Sequence, residues 1–322
     1  NGPNYNVWFK FTAISQNVII DMKVGGAEGS LQHPNMALWA SDGTTQLACV
    51  RRVNATTDVS IAYGALVVGQ TYYISCDNYV GLGYRGTFTL CIDNVDEIFY
   101  SRADGVWSDP NNWSTISYGG SAAADYPKIG DVANIQGNSI TVSSGAVAAE
   151  VNLSIASANT ELIVSNASLN IAGKLTMVNP GNNFTGNITV QNNGLILVNN
   201  DLILSRAGGN QTFATTIATG SIVVNRDFNF TSTGGTAVDN TFIINNSGQL
   251  TVNRDINFSS TGGRLIQLQG NTASIITVAR DISFTATAAG QEEIQLNNTA
   301  RLRIGRNFVR GATPYGALVC NG

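Results

Sequence analysis

The chain has 322 residues, of which only 12% are charged and 43% hydrophobic, with a net charge of −4 from seventeen basic and twenty-one acidic side chains. No basic run or patch occurs, which argues against a nucleic-acid partner, and no apolar run reaches the roughly 18 residues of a membrane-spanning helix. Gly (34 residues), Asn, Ser and Thr supply the polarity that charge does not, so the composition predicts many short strands and tight turns around a buried core, not disorder.

The chain starts at Asn1 without a Met or a leader-like run, which predicts a processed chain or a piece of a longer one. Residues 1–97 carry short apolar and alternating runs: VWFKF (7–11), VIIDMKV (18–24), MALWA (36–40), QLACV (46–50), VSIAY (59–63), TYYISC (71–76) and TFTLCI (87–92). Gly, Asn and Asp turns separate them. Strands at this spacing predict an antiparallel β-sandwich, jelly-roll-like, with two packed sheets. Cys49, Cys76 and Cys91 lie in this region, and one disulfide among them is expected in an oxidising compartment; buried free thiols are the alternative. The lone histidine, His33, sits beside Pro34 in an expected loop. GLGYRG (81–86) matches a dinucleotide-binding pattern by letter only, because a strand and not a helix follows it.

Four segments in order, NVWFKFTA, MALWASDGTTQLAC, LVVGQTYYISCDN and GTFTLCIDN, resemble the pre-peptidase C-terminal-like sandwich of secreted bacterial proteins, particularly of Bacteroidota. The resemblance covers about 95 residues.

Residues 98–136 read as a junction and cap. FYSRADGVWSDPNNWST places Trp107 and Trp113 around an Asp109-Pro110 turn. This segment resembles the opening of many Bacteroidota surface repeats. The two indoles are expected to cap the following core; a sugar-stacking platform is the alternative. Asp93, Asp96 and Glu97, just upstream, are weak calcium candidates, with a solvated linker as the other reading.

From 137 to 322 one register explains the sequence. Leu175, Leu202, Phe228, Ile256, Ile282 and Phe308 recur at spacings of 27, 26, 28, 26 and 26. Met177, Leu204, Phe230, Phe258 and Phe284 follow two residues later, and Ile171, Val198, Val224, Val252, Val278 and Ile304 stand four residues before. Period-2 alternation inside each copy, with no helical pattern, predicts a parallel β-helix of about seven coils.

The nearly repeated VNRDFNFTSTGG (224–235) and VNRDINFSSTGG (252–263) place an Arg-Asp pair at one point of this register. Arg226, Arg254, Arg280 and Arg306 form one column, preceded by Gly173 and Asn200. Asp227, Asp255 and Asp281 form the next, with Lys174, Asp201 and Asn307 at its ends. Like charges one coil apart repel, and adjacent columns of opposite sign cancel that cost. The pairs are therefore expected to form a structural ladder at a corner. Glu292 and Glu293 are adjacent, hence on opposite faces of a strand, and form no paired-carboxylate site. Thr and Ser at 231, 233, 259, 261, 285 and 287 also fall in register. A turn entrance is their expected role, with an ice-ordering array as the alternative.

No constellation for nucleophilic, metal or phosphate chemistry emerges, so neither catalysis nor a cofactor is expected. The resemblances imply a non-catalytic extracellular segment of a surface adhesin, stalk or filament, of the kind exported by type IX secretion. The alternative is a carbohydrate-binding or carbohydrate-active module with Trp39, Tyr72, Tyr79 or Tyr84 as contacts. Expected partners are neighbouring domains or subunits joined through the C-terminal coil, which carries Cys320, and surface glycans; no nucleic acid and no membrane insertion are expected.

Overall fold

The computed structural model describes residues 6–52, 57–78, 80, 82–94, 96–181, 184–207, 213–233, 240–261, 265–285, 291–311 and 316–322. Apart from three short 3-10 turns, every regular element among them is a strand. The chain divides into two compact units, Asn1–Asp96 and Glu97–Gly322.

In the first unit, Val7–Thr12, Thr71–Asn78, Pro34–Trp39 and Gln46–Arg51 lie side by side in that order, all antiparallel. Val59–Tyr63, Val18–Lys23 and Thr89–Asp93 form a second antiparallel sheet. Only one connection, from Pro34–Trp39 to Gln46–Arg51, stays within a sheet; the rest cross over, as in the jelly-roll-like sandwich expected. Period-2 alternation does the sorting. VIIDMK buries Val18, Ile20 and Met22, which share a core with Met36, Leu38, Ile74 and Cys76 of the other sheet.

The second unit is a parallel β-helix with three faces. The first face runs from Ile98–Ser101 through Val132–Ile135, Glu150–Ser154, Leu175–Asn179, Leu202–Arg206, Phe228–Ser232, Ile256–Ser260 and Ile282–Phe284 to Phe308–Arg310. Trp113–Ser114 closes its leading edge by pairing antiparallel with Ile98–Ser101. The second face has nine strands, from Gly105–Val106 to Gly316–Asn321, and the third has seven, from Ala146–Ala148 to Arg301–Ile304. Seven strands on the third face make six coil-to-coil steps.

The pairing reproduces the sequence register residue for residue. Leu175 pairs with Leu202, then Phe228, Ile256, Ile282 and Phe308 in turn. On the third face Ile171, Val198, Val224, Val252, Val278 and Ile304 form one column. Phe228, Phe230, Ile256, Phe258, Ile282 and Phe284 are all at most 2% exposed. Phe258 and Phe284 stack at 5.0 Å between ring centroids with planes 7° apart.

Two features differ from the sequence reading. Parallel pairing begins at Ile98, upstream of residue 137, because Phe99 and Ala133 already continue the inward column that leads to Val151 and Leu175. Phe308 is 38% exposed, since it ends its column and no later strand covers it among the described residues.

The turns after the second face carry residues with positive φ: Asn166, Asn192, Asn193, Asn246 and Asn298 at +42 to +60°, with Ser247 and Ala273 at +62° and +58°. Asn tolerates this conformation better than other side chains. Gly194, Gly220 and Gly248 follow those turns for another reason. A Cβ on Gly220 would stand 2.4 Å from the carbonyl oxygen of Gly194, so the backbones approach too closely for any side chain.

Candidate functional site

The Arg-Asp columns lie at the corner between the third and first faces, and each Arg reaches back one coil. Arg226 Nε stands 3.7 Å from Asp201 Oδ1, Arg254 Nε 3.6 Å from Asp227 Oδ1, and Arg280 Nε 3.5 Å from Asp255 Oδ1. Arg306 Nη2 closes to 2.9 Å on Asp281 Oδ2. The carboxylates do a second job that sequence reasoning missed. The backbone N–H of Asp227 donates to Asp201 Oδ1 at 3.2 Å, that of Asp255 to Asp227 Oδ1 at 3.2 Å, and that of Asp281 to Asp255 Oδ1 at 3.0 Å. Asn307 continues the series on Asp281 with both its backbone and its side-chain N–H at 3.0 Å. Each Asp thus supplies the acceptor that a corner, bent away from the ladder, cannot take from backbone alone. The Arg neutralises the resulting carboxylate column.

Asn ladders run beside it. Asn199 Nδ2 donates to Asn170 Oδ1 at 3.1 Å, Asn225 to Asn199 at 2.8 Å and Asn253 to Asn225 at 2.8 Å. A second series joins Asn245, Asn271, Asn297 and Asn321 at 2.7 to 3.0 Å. For Asn225 and Asn253 the signal is present in the sequence, as the residue preceding Arg226 and Arg254. In-register Thr hydroxyls are spent on backbone at several positions: Thr285 Oγ1 donates to the Phe258 carbonyl at 2.8 Å, and Thr233 Oγ1 to that of Arg206 at 3.4 Å. That suits a turn entrance and leaves those hydroxyls no free array for ordering water; residue 287 lies outside the described residues.

Trp107 and Trp113 are 2% and 0% exposed and belong to the solenoid core. Trp113 Nε1 donates to the Trp107 carbonyl at 2.7 Å and Trp107 Nε1 to that of Pro127 at 2.9 Å. Indole faces buried in this way cannot stack on a sugar. Glu292 is 1% exposed and accepts the Ser260 N–H at 2.7 Å, while Glu293 takes the Gln267 amide at 2.8 Å. The pair thus points to opposite sides, as alternation requires.

The expected disulfide is not formed. Cys49 and Cys91 are exposed on the outer faces of different sheets, whereas Cys76 points into the core, and all are free, as is the exposed Cys320. Alternation separates them, since a bridge needs Cβ atoms about 4 Å apart and facing. Burial pushes the Cys76 thiol up to about 12. The calcium candidates do not gather either. Asp96 Oδ1 accepts from Asn17 Nδ2 at 3.1 Å, and among the described residues no three His, Cys, Asp or Glu side chains form a cation cage.

Of the sandwich aromatics, Tyr72 is buried and its hydroxyl accepts the Val67 N–H at 2.8 Å, so it faces no ligand. Tyr84 is exposed and meets His33 edge-on at 4.7 Å between centroids. Tyr79 lies outside the described residues. Trp39 is different. It stands on the outer face of the four-stranded sheet, beside Trp8 at 5.7 Å, with its Nε1 donating to Ser75 Oγ at 2.8 Å. Strand pairing sets Asn35 opposite Asp77, Ala37 opposite Ser75 and Trp39 opposite Tyr73, all on this face. A trough of about 530 Å³ follows, with Ala37, Cys49 and Ser75 as its floor and Asn6, Asn35, Arg51 and Asp77 at the end away from Trp39. Asp77 is only 7% exposed; its Oδ1 accepts the Asn78 N–H at 2.7 Å, and its Oδ2 has no hydrogen-bond partner. Burial raises its carboxyl above the usual range, against the lowering effect of the Asn78 bond.

No protein-family model matches the chain, and neither a curated protein nor a solved structure does. A second hollow, of about 410 Å³ on the β-helix, is lined by Asp104 and Glu161. Those carboxylates are already engaged, Asp104 by the Ser139 N–H at 2.8 Å and Glu161 by the Ser139 hydroxyl at 3.0 Å. The trough at Asp77 is thus the stronger candidate.

Proposed function

We propose that the chain is a non-catalytic structural and adhesive segment of an extracellular surface protein, with the β-helix as its rigid spacer. One observation carries this reading: the repeated charged side chains face one another from coil to coil, with Asp227 and Asp255 each accepting a backbone N–H of the next coil while an Arg Nε of that coil stands 3.5 to 3.6 Å away. Repetition of that kind stiffens a stack, and it commits the carboxylates of these columns to the corner. Extracellular placement rests on the resemblance of the sandwich segments and of the Trp107–Trp113 segment. No helix among the described residues is long and apolar enough to cross a membrane. The last coil is the natural place for a partner domain or subunit. Phe308–Arg310 and Gly316–Asn321 end their sheets, and Val309 and Leu318 are 45% and 46% exposed.

The test coats beads with the full chain and measures their retention under flow on films of polysaccharides and matrix proteins, alongside release of reducing sugar ends. Retention without release is expected. Release above that of heat-denatured chain, or no retention on any film, overturns the reading.

A further inference from the structure

We infer that the trough on the outer face of the four-stranded sheet is a binding site for a short neutral saccharide, with Trp39 as its stacking wall and Asp77 as its hydroxyl acceptor. This gives the adhesive reading its ligand and rests on that reading for its role, though not for its chemistry.

The sheet builds the site from alternation alone. Small side chains, Ala37, Cys49 and Ser75, occupy the middle of the outer face, where neighbouring strands bring them together. Trp39 rises at one end. The Ser75 hydroxyl fixes its indole by accepting Nε1–H at 2.8 Å, and Trp8 flanks it at 5.7 Å with 48% of its own surface exposed. At the other end stand Asn35 and Asp77, four residues along the strand from Trp39, roughly 13 Å away at about 3.3 Å per residue. The trough's volume of about 530 Å³ falls within the range of small-ligand sites, about 300–1,000 Å³.

Asp77 is what makes this a site and not a dent. A side chain on an outer face is normally solvated, yet Asp77 is 7% exposed and its Oδ2 lacks any donor. A buried acceptor left unpaired is costly, and a ligand that brings a donor recovers that cost. Another hollow on the sandwich, of about 350 Å³, is also lined by Asn6 and Asp77, so Asp77 borders both cavities.

The ligand class follows from the lining. Asp77 calls for a donor, and Asn6 and Asn35 offer both donors and acceptors. A hydroxyl, which donates and accepts together, matches them all. A simple anion would meet Asp77 and a simple cation would meet Arg51, which favours a neutral molecule. The indole supplies an apolar face for the C–H side of a sugar ring.

The experiment titrates the full chain with neutral oligosaccharides of glucose, xylose, mannose and galactose, with galacturonate oligomers and with calcium chloride alone, reading tryptophan fluorescence and calorimetry. At least one neutral series should bind. Asp77→Asn, which keeps an acceptor for the Asn78 N–H, should weaken that binding about tenfold or more. Trp39→Ala should abolish it. Melting temperature serves as the fold control, and Asp77→Asn should melt no lower than the parent chain. Binding of galacturonate alone or of calcium alone, no binding by any neutral series, or neutral binding unchanged in both variants overturns the proposal. Bead retention separates the two readings: retention that survives in Asp77→Asn and Trp39→Ala sinks the trough and spares the adhesive reading, whereas absence of retention in every form sinks the adhesive reading.

Discussion

Asp255 shows how one side chain can serve two columns at once. Its Oδ1 stands 3.5 Å from Arg280 Nε and accepts the Asp281 N–H at 3.0 Å, while its own N–H is held by Asp227 at 3.2 Å. The two roles separate by substitution. Asp255→Asn keeps an oxygen for the Asp281 N–H and removes only the charge; an exposed ion pair of this kind is worth at most about 1 kcal/mol. Asp255→Ala removes both and strands a backbone donor at a corner, which costs about 1–3 kcal/mol. Chemical denaturation should therefore rank the parent chain, then Asn, then Ala. Equal losses for both variants would mean that the charge alone matters, and the account of the corner acceptor would be wrong. The sequence made the columns and their opposite signs visible, because both follow from spacing. It did not show the carboxylate-to-backbone bond, which depends on how sharply the chain bends at that corner. Nor did it single out Asp77, which reads as an ordinary outward residue in TYYISCDN until the neighbouring strands close around it.

At the scale of the element, strands were easy to read and turns less so. Leu250 and Val252, or Ile276 and Val278, alternate with polar residues and recur every 26 to 28 positions, so face and register follow together. The coils upstream of residue 137 are not legible in the sequence, because Phe99 and Ala133 carry no recurring Phe or Arg-Asp marker, although they occupy the same column as Val151. The disulfide expected among Cys49, Cys76 and Cys91 gives way to free thiols for a related reason: distance along the chain says nothing about which side of a sheet a thiol faces. Turn residues now give a pair of opposite expectations. Gly220→Ala places a Cβ 2.4 Å from the Gly194 carbonyl and 2.6 Å from Val190 Cγ1, and should destabilise by about 1–3 kcal/mol. Ala273 holds a φ of +58° where the preceding coils place Asn193 and Ser247. Ala273→Asn should stabilise by up to about 1 kcal/mol, because Asn adopts that conformation more readily. Melting curves of the two variants should move in opposite directions. A stabilising Gly220→Ala would contradict the close stacking of those turns.

Across the whole chain, the two units bury separate cores that share no residue. One holds Met36, Leu38, Ile74 and their neighbours; the other runs from Phe99 and Trp113 to Phe284 and Ile294. They also differ in kind. The sandwich joins strands distant in sequence into one closed core, so it should melt in a single step. The β-helix bonds each coil only to the next, and its stability is close to a sum over neighbouring coils. Calorimetry should therefore resolve two transitions. Met36→Ala, at a fully buried position, should lower only the transition of the sandwich, by about 2–5 kcal/mol. Phe258→Ala removes a ring stacked 5.0 Å from Phe284 and 6.1 Å from Phe230, and should cost the β-helix about 3–5 kcal/mol. Because the cores have no residue in common, the double variant should show both losses, additive within about 0.5 kcal/mol. A single transition lowered by either substitution would mean that the units fold as one body, and a β-helix serving as an independent spacer would have to be abandoned.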